Sequence, residues 1–164
     1  MTYNAATDAA THETDSDADG VTGEADISAV ASNGAAQADA ATAAADHAAQ
    51  AREFLDRSRI YFEDGMLHQA SEKGWGAAAH MAKAVAVTQG WQYTTHAELG
   101  GILHNSRKAL DDDRLSALRS TPYELHSNFY QRKRHLNAEV IGENLERVAE
   151  LVDLLEPLAK PTPS

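Results

Sequence analysis

The stretch QASEKGWGAAAHMAKAVAVTQGW, residues 69–91, decides how the rest of the chain is read. It is helix-length, rich in Ala and Gly, and yet sets two Trp, one His and a few charges among small residues. At 100° per residue, Ala70, Gly74, Ala77, Met81 and Ala84 fall on one stripe, and Trp75, Ala79, Ala82 and Ala86 on an adjoining one. A helix apolar over most of its circumference belongs at the centre of a bundle. Its small residues admit close neighbours, and Trp75 fills the volume they leave. The remaining narrow stripe holds Gln69, Glu72, Lys73, Gly76, His80 and Lys83, and either faces water or lines a groove.

Upstream, alanine density is high from Ala35 to Arg52, which gives helix propensity without tertiary help. Ala51, Phe54, Leu55, Ser58 and Phe62 make one face of this first helix, which is expected to end near Asp64, before Gly65. Downstream, Gly90 closes the central helix. Thr95 and Glu98 form a capping box that starts a third helix with the stripe Leu99, Leu103, Ser106, Leu110. Asp111 to Asp113 place negative charge at the start of a short helix carrying Leu115 and Leu118. Thr121, Pro122 and Glu124 read as the cap of a further helix beginning at Pro122. That helix presents Leu125, His126, Phe129 and Tyr130 on one face and ends in the basic QRKRH. The last helix, from about Ala138, carries Ile141, Leu145, Val148, Val152 and Leu155, and the final EPLAKPTPS reads as a frayed end. No alternation of Val, Ile or Thr supports a sheet. The expected fold is therefore all-α, an antiparallel bundle of four long helices plus one short helix.

Charge is unevenly distributed along the 164 residues, whose formal net charge is −11. Residues 1–50 contain nine acids and no Lys or Arg, so the other 114 residues hold all 14 basic residues against 16 acids and are close to neutral. An acidic Ala/Asp/Thr segment with few large apolar side chains cannot bury enough surface to offset its ordering entropy. Residues 1–36 are thus expected to be a disordered tail, residues 37–160 the helical domain, and residues 161–164 a frayed terminus. Without Cys there is no disulfide framework or thiolate chemistry, and neither a leader peptide nor an apolar run of membrane-spanning length is evident. The expectation is a cytoplasmic protein that does not engage a membrane.

Chemistry-bearing residues are sparse. Eight His accompany many carboxylates, but no Glu-x-x-His or His-Glu-x-x-His pair gives metal-ligand spacing, so neither metal nor cofactor is expected. His96 and His104 read as surface residues. ELGGIL lacks the Lys and the preceding strand of a phosphate loop. The basic cluster at 132–135, beside Phe129 and Tyr130, suits RNA phosphates and bases, although the domain lacks a broad basic footprint. Candidate binding residues are Glu72, Lys73, His80 and Lys83 on the polar stripe of the central helix, with Asn128 and Tyr130 farther on.

YFEDG, QASEKGWGAAAHMAKAVA, the following GW, and LHSNFY before a closing Leu/Val helix together resemble the PaREP family of archaeal proteins, across residues 46–157. The resemblance implies a HEPN-like bundle, related to the helical substrate-binding subunits that accompany small nucleotidyltransferases. It also implies a homodimer. A partner protein such as a nucleotidyltransferase or a toxin–antitoxin component, or an RNA or nucleotide ligand, would be its target. Catalytic HEPN proteins are metal-independent ribonucleases in which four to six residues separate an Arg from a following His. Arg119 and His126 have that spacing here, His suited to general acid/base work on the ribose 2′-OH and Arg to the phosphorane charge. The polar residue usual after the Arg is Ser120, and the helix start at Pro122 is expected to separate the pair. The resemblance therefore implies a non-catalytic binding module, with a ribonuclease as the alternative.

Overall fold

The computed structural model describes residues 24–161, all of whose regular elements are helical. The chain divides at Gly34/Ala35 into two units, and Ala35–Ser164 holds the core. The helices are α1 (Glu24–Glu63), α2 (Leu67–Gln89), α3 (Leu99–Leu110), α4 (Arg114–Leu118), α5 (Thr121–Ser127) and α6 (Ala138–Leu155). Helix α1 starts well before the expected Ala35. Its early turns, exposed along residues 30–39, are rich in alanine, whose propensity favours helix without a buried face. Of the acidic tail expected at 1–36, residues 24–36 are helical and residues 1–23 lie outside the described residues.

Helix α2 is the centre, packing on α3, α5, α6 and the 3₁₀ turn Glu156–Ala159. Both of its apolar stripes are buried, including Gly74, Trp75, Ala77, Met81 and Ala84. The glycines set the spacing. A Cβ on Gly74 would lie 2.5 Å from Leu145 and 2.8 Å from Leu125, and one on Gly76 would lie 2.6 Å from Phe54. Gly90, at φ +68°, closes α2 in the left-handed conformation, and the cap N–H groups satisfy the Ala86 and Val87 carbonyls.

Helix α1 runs antiparallel to α2, since His47 meets His80 while Phe54 meets Gly76. It also runs antiparallel to α6, where Arg52 bonds Asp153 (2.6 Å) and Glu156 while Phe62 lies against Gly142. Helices α2 and α6 consequently run parallel to one another. The chain between them is long enough to return across the bundle, so adjacency in space does not require reversal.

The middle of the chain differs most from expectation. Glu98 does receive the Thr95 N–H (2.8 Å) and the Thr94 N–H, but the capping box opens a 3₁₀ turn, His96–Glu98, before α3 begins. Asp112 accepts the Arg114 N–H at 3.0 Å and starts α4. At α5 the cap is Ser120 rather than Thr121: Ser120 Oγ donates to Glu124 at 2.9 Å, and Thr121 is buried in the first turn. Arg119 and Ser120 both keep right-handed helical backbone angles, so α4 and α5 follow one another almost as one helix despite Pro122. Helix α5 then stops at Ser127. Phe129 and Tyr130 sit on a 3₁₀ turn (Asn128–Tyr130), Gln131 and Arg132 are extended, and residues 133–135 form another 3₁₀ turn. QRKRH is a loop rather than a helix end.

Helix α6 is as its stripe predicts, with Ile141, Leu145, Val148, Val152 and Leu155 all buried, and Asn137 caps it by accepting from Glu139 N and Val140 N. The segment after it is ordered where fraying was expected. Its 3₁₀ turn buries Ala159 and receives hydrogen bonds from Thr88 (3.0 Å, to Ala159) and Gln89 (3.0 Å, to Leu158). Residues 162–164 lie outside the described residues.

Candidate functional site

Two clusters of functional side chains flank α2. The first is an aromatic and histidine face around Trp75. Position 75 puts this buried indole under the α5 helix and the 3₁₀ turn His96–Glu98 that precedes α3. His126 lies over it with ring centroids 4.7 Å apart and planes 30° apart, near parallel stacking. His96 (5.1 Å) and Tyr123 (5.7 Å) close on the same indole. Tyr130 stands edge-on to His126 at 5.8 Å, and Phe129 edge-on to Tyr130 at 5.4 Å. Going outward, burial falls away: Phe129 is 57% and Tyr130 76% exposed. Two large aromatic rings in water, next to one another and anchored on a buried stack, are unusual in a chain with few aromatics, because each could lower its free energy by packing inward.

The loop after Tyr130 adds charge. Arg132, Lys133, Arg134 and His135 are all exposed, and among the described residues none of them pairs with a carboxylate. His68 on α2 ties the loop down through a 2.9 Å hydrogen bond between its Nε2 and the Gln131 carbonyl. The same surface thus offers planar hydrophobic faces and uncompensated cations.

The second cluster lies on the α1–α2 seam. His47 Nδ1 and His80 Nδ1 approach to 3.2 Å, and His80 also packs edge-on against Phe54. Lys73 Nζ sits over the Phe54 ring at 4.1 Å, and Lys83 Nζ faces the Tyr93 ring at 5.8 Å. Burial pulls the His80 pKa below the ordinary imidazole range, reinforced by Lys83, His47 and Lys73. Burial also lowers His47, with Lys83 adding to the effect and Asp46 opposing it. The Tyr93 phenol is pushed up to about 12, mainly by burial, so it remains protonated.

The residues singled out from sequence divide between these places. Lys73, His80 and Lys83 do share one side of α2, but α1 covers much of it, and Glu72 stays in solvent. The stripe is therefore part helix interface, part open cleft. Asn128 donates to the buried Ser71 Oγ at 3.1 Å, which fixes the 3₁₀ turn that presents Phe129 and Tyr130. Arg119 is exposed, and among the described residues its side chain has no ion pair or hydrogen bond. Seven residues along a nearly continuous helical path put it on the side of His126, about 10 Å along the axis. Trp75 as a floor, Tyr123, His47, Trp91 and Tyr93 were not anticipated as site residues, since each gains its neighbours only through tertiary packing. Among the described residues, no three His, Asp or Glu side chains converge as metal ligands would.

The archaeal PaREP1/PaREP8 family model matches residues 46–152, from within α1 to within α6 and well over half of the chain. The chain belongs to the archaeal PaREP1/PaREP8 family. Both clusters of this PaREP1/PaREP8 member fall inside the matched span. No curated protein matches the sequence.

Proposed function

We propose that this PaREP1/PaREP8 protein is a non-catalytic HEPN-like helical module that binds single-stranded RNA through the Phe129–Tyr130 face and the basic loop beside it. In this reading α1, α2, α3 and α6 are the long members of the HEPN-like bundle. The carrying observation is the pair of exposed rings, Phe129 and Tyr130, followed after Gln131 by three exposed cations that have no carboxylate partner among the described residues. Unstacked bases need planar partners and the ribose-phosphate backbone needs dispersed positive charge, which is the combination this surface supplies. The mostly neutral domain fits a short single strand better than a duplex, whose phosphates call for a wider basic footprint. Self-association belongs to the same reading, supported by exposed Ile60 and Val140.

A second reading, a metal-independent ribonuclease, is favoured by one observation: Arg119 and His126 lie on one side of the α4–α5 segment instead of being separated by Pro122. There, His126 would move the 2′-OH proton and Arg119 would face the charged phosphorus. His126, lying over Trp75 and tilted against His96 with no carboxylate bonded to it among the described residues, supports a positioning role in a binding face more than proton transfer.

One titration separates the two. Labelled single-stranded RNA is titrated with the full chain in EDTA, following anisotropy and strand length together. Binding without shortening is expected, with roughly thirtyfold or greater weakening in Phe129→Ala/Tyr130→Ala, since each base stack contributes on the order of 1–3 kcal/mol. Binding that survives the double substitution overturns the proposed face. Strand cleavage lost in both Arg119→Ala and His126→Ala would establish the ribonuclease.

A further inference from the structure

The α1–α2 seam carries basic and aromatic groups that the RNA-binding face does not use. An open cleft of about 280 Å³, at the small end of ligand sites, is lined by His47, Lys83, Ala86, Val87, Trp91 and Tyr93. Its polar and apolar parts are segregated. Lys83 and His47 form the basic side, with His80 behind His47 at 3.2 Å. The rings of Trp91 and Tyr93, with Val87, form the planar and apolar side.

Charge in this cleft is unbalanced. Lys83 has no carboxylate partner among the described residues, Lys73 on the same helix sits over the Phe54 ring, Asp46 opposes the field of Lys83 at His47, and Glu98 bears on the Tyr93 phenol. The nearby end of α2 would ordinarily repel an anion through its free carbonyls. Here the left-handed Gly90 cap satisfies the carbonyls of Ala86 and Val87, the two residues of that turn that line the cleft.

We propose that this cleft binds a small ligand that joins a planar ring to an oxyanion, of the class of a nucleoside monophosphate. The ring packs against Trp91 and Tyr93, and the oxyanion bridges Lys83 and His47. The proposal is independent of the RNA-binding reading, because it uses different residues on a different face of α2.

Proton linkage follows from the histidine pair. In the 3.2 Å contact one ring nitrogen donates and the other accepts, so both imidazoles are neutral or one proton is shared between them. In the empty cleft, burial and the Lys83 ammonium hold both histidines below their ordinary range. An oxyanion between Lys83 and His47 offsets that field and favours the protonated pair, raising its pKa in the complex. Binding then takes up a proton, and affinity increases as pH falls from 8 towards 6.5. The charged groups that bear on the pair are Asp46 from α1 and Lys73 and Lys83 from α2; the 91–93 segment contributes the uncharged Trp91 and Tyr93 rings.

The test is calorimetric titration of the full chain with adenosine 5′-monophosphate, adenosine and inorganic phosphate at pH 6.5 and 8.0. The monophosphate is expected to bind more tightly than either fragment, and more tightly at pH 6.5. Lys83→Met should weaken it roughly tenfold, the loss of one charge-assisted hydrogen bond. His47→Asn should remove the part of the pH dependence that the ligand's own titration does not explain. Lys83→Gln reads the same loss of charge if Lys83→Met does not fold. Phe129→Ala/Tyr130→Ala should leave monophosphate affinity unchanged. The proposal is overturned if the monophosphate gives no binding at millimolar concentration, if its affinity is the same without Lys83, or if the Phe129/Tyr130 variant alone abolishes it.

Discussion

Replacing Trp75 with Ala is expected to lower the stability of the domain by roughly 3–5 kcal/mol, the range for losing a large buried aromatic. For a folded unit of this size that corresponds to a fall in the unfolding midpoint on the order of 10 °C, measurable by circular dichroism. The expectation rests on position. Trp75 lies on the central helix, is buried, and is the common neighbour of His96, Tyr123 and His126. Where the cost falls within that range depends on how far the His96, Tyr123 and His126 rings move into the gap. Losing the floor also removes the stack that holds His126, so RNA affinity should fall along with stability. A Trp75→Phe variant, which keeps a ring there, should recover much of both. A Trp75→Ala protein as stable as the parent would show that the indole is not the keystone of this face.

Converting Arg132, Lys133 and Arg134 together to Gln is expected to weaken RNA binding on the order of a hundredfold at low salt, if each cation contributes about 1 kcal/mol through a phosphate contact. The more diagnostic readout is the salt dependence. Each neutralised phosphate on a single strand adds about 0.7 to the slope of log affinity against log salt, so the triple variant should be shallower by about 2. Stability should scarcely change, because all three side chains are exposed and make no ion pair with an acid among the described residues. That combination, a large loss of binding with unchanged melting, separates a phosphate-contacting loop from a structural one. An unchanged salt slope would mean that these cations do not meet the RNA backbone.

How much of this was legible in the sequence depends on whether a feature is local. The stripes of α2 and α6 are periodic and long, and every residue assigned to them is buried, since burial of a helix face is what periodicity encodes. The Gly90 cap and the Thr95/Glu98 box were likewise legible, because a cap involves residues only a few positions apart. The start of α1 was not, for an alanine-rich segment without an apolar stripe gives propensity but no boundary. Nor was the stop of α5 at Ser127: the periodicity of Leu125, Phe129 and Tyr130 suits a continuing helix, and Asn128 bonded to Ser71 instead presents the two rings on a 3₁₀ turn. Lys73, His80 and Lys83 share one side of α2, as their helical spacing implies. What they face depends on α1, whose Phe54 lies 19 residues from Lys73 and whose His47 lies 33 residues from His80, beyond the reach of any spacing rule.

The RNA-binding face is most directly tested by photo-crosslinking a single-stranded oligonucleotide carrying 5-iodouridine to the full chain and locating the adducts by mass spectrometry. Adducts on Phe129 or Tyr130, competed away by unlabelled single strand, are the expected result. Adducts confined to other helices, or none at concentrations where anisotropy reports binding, would contradict it.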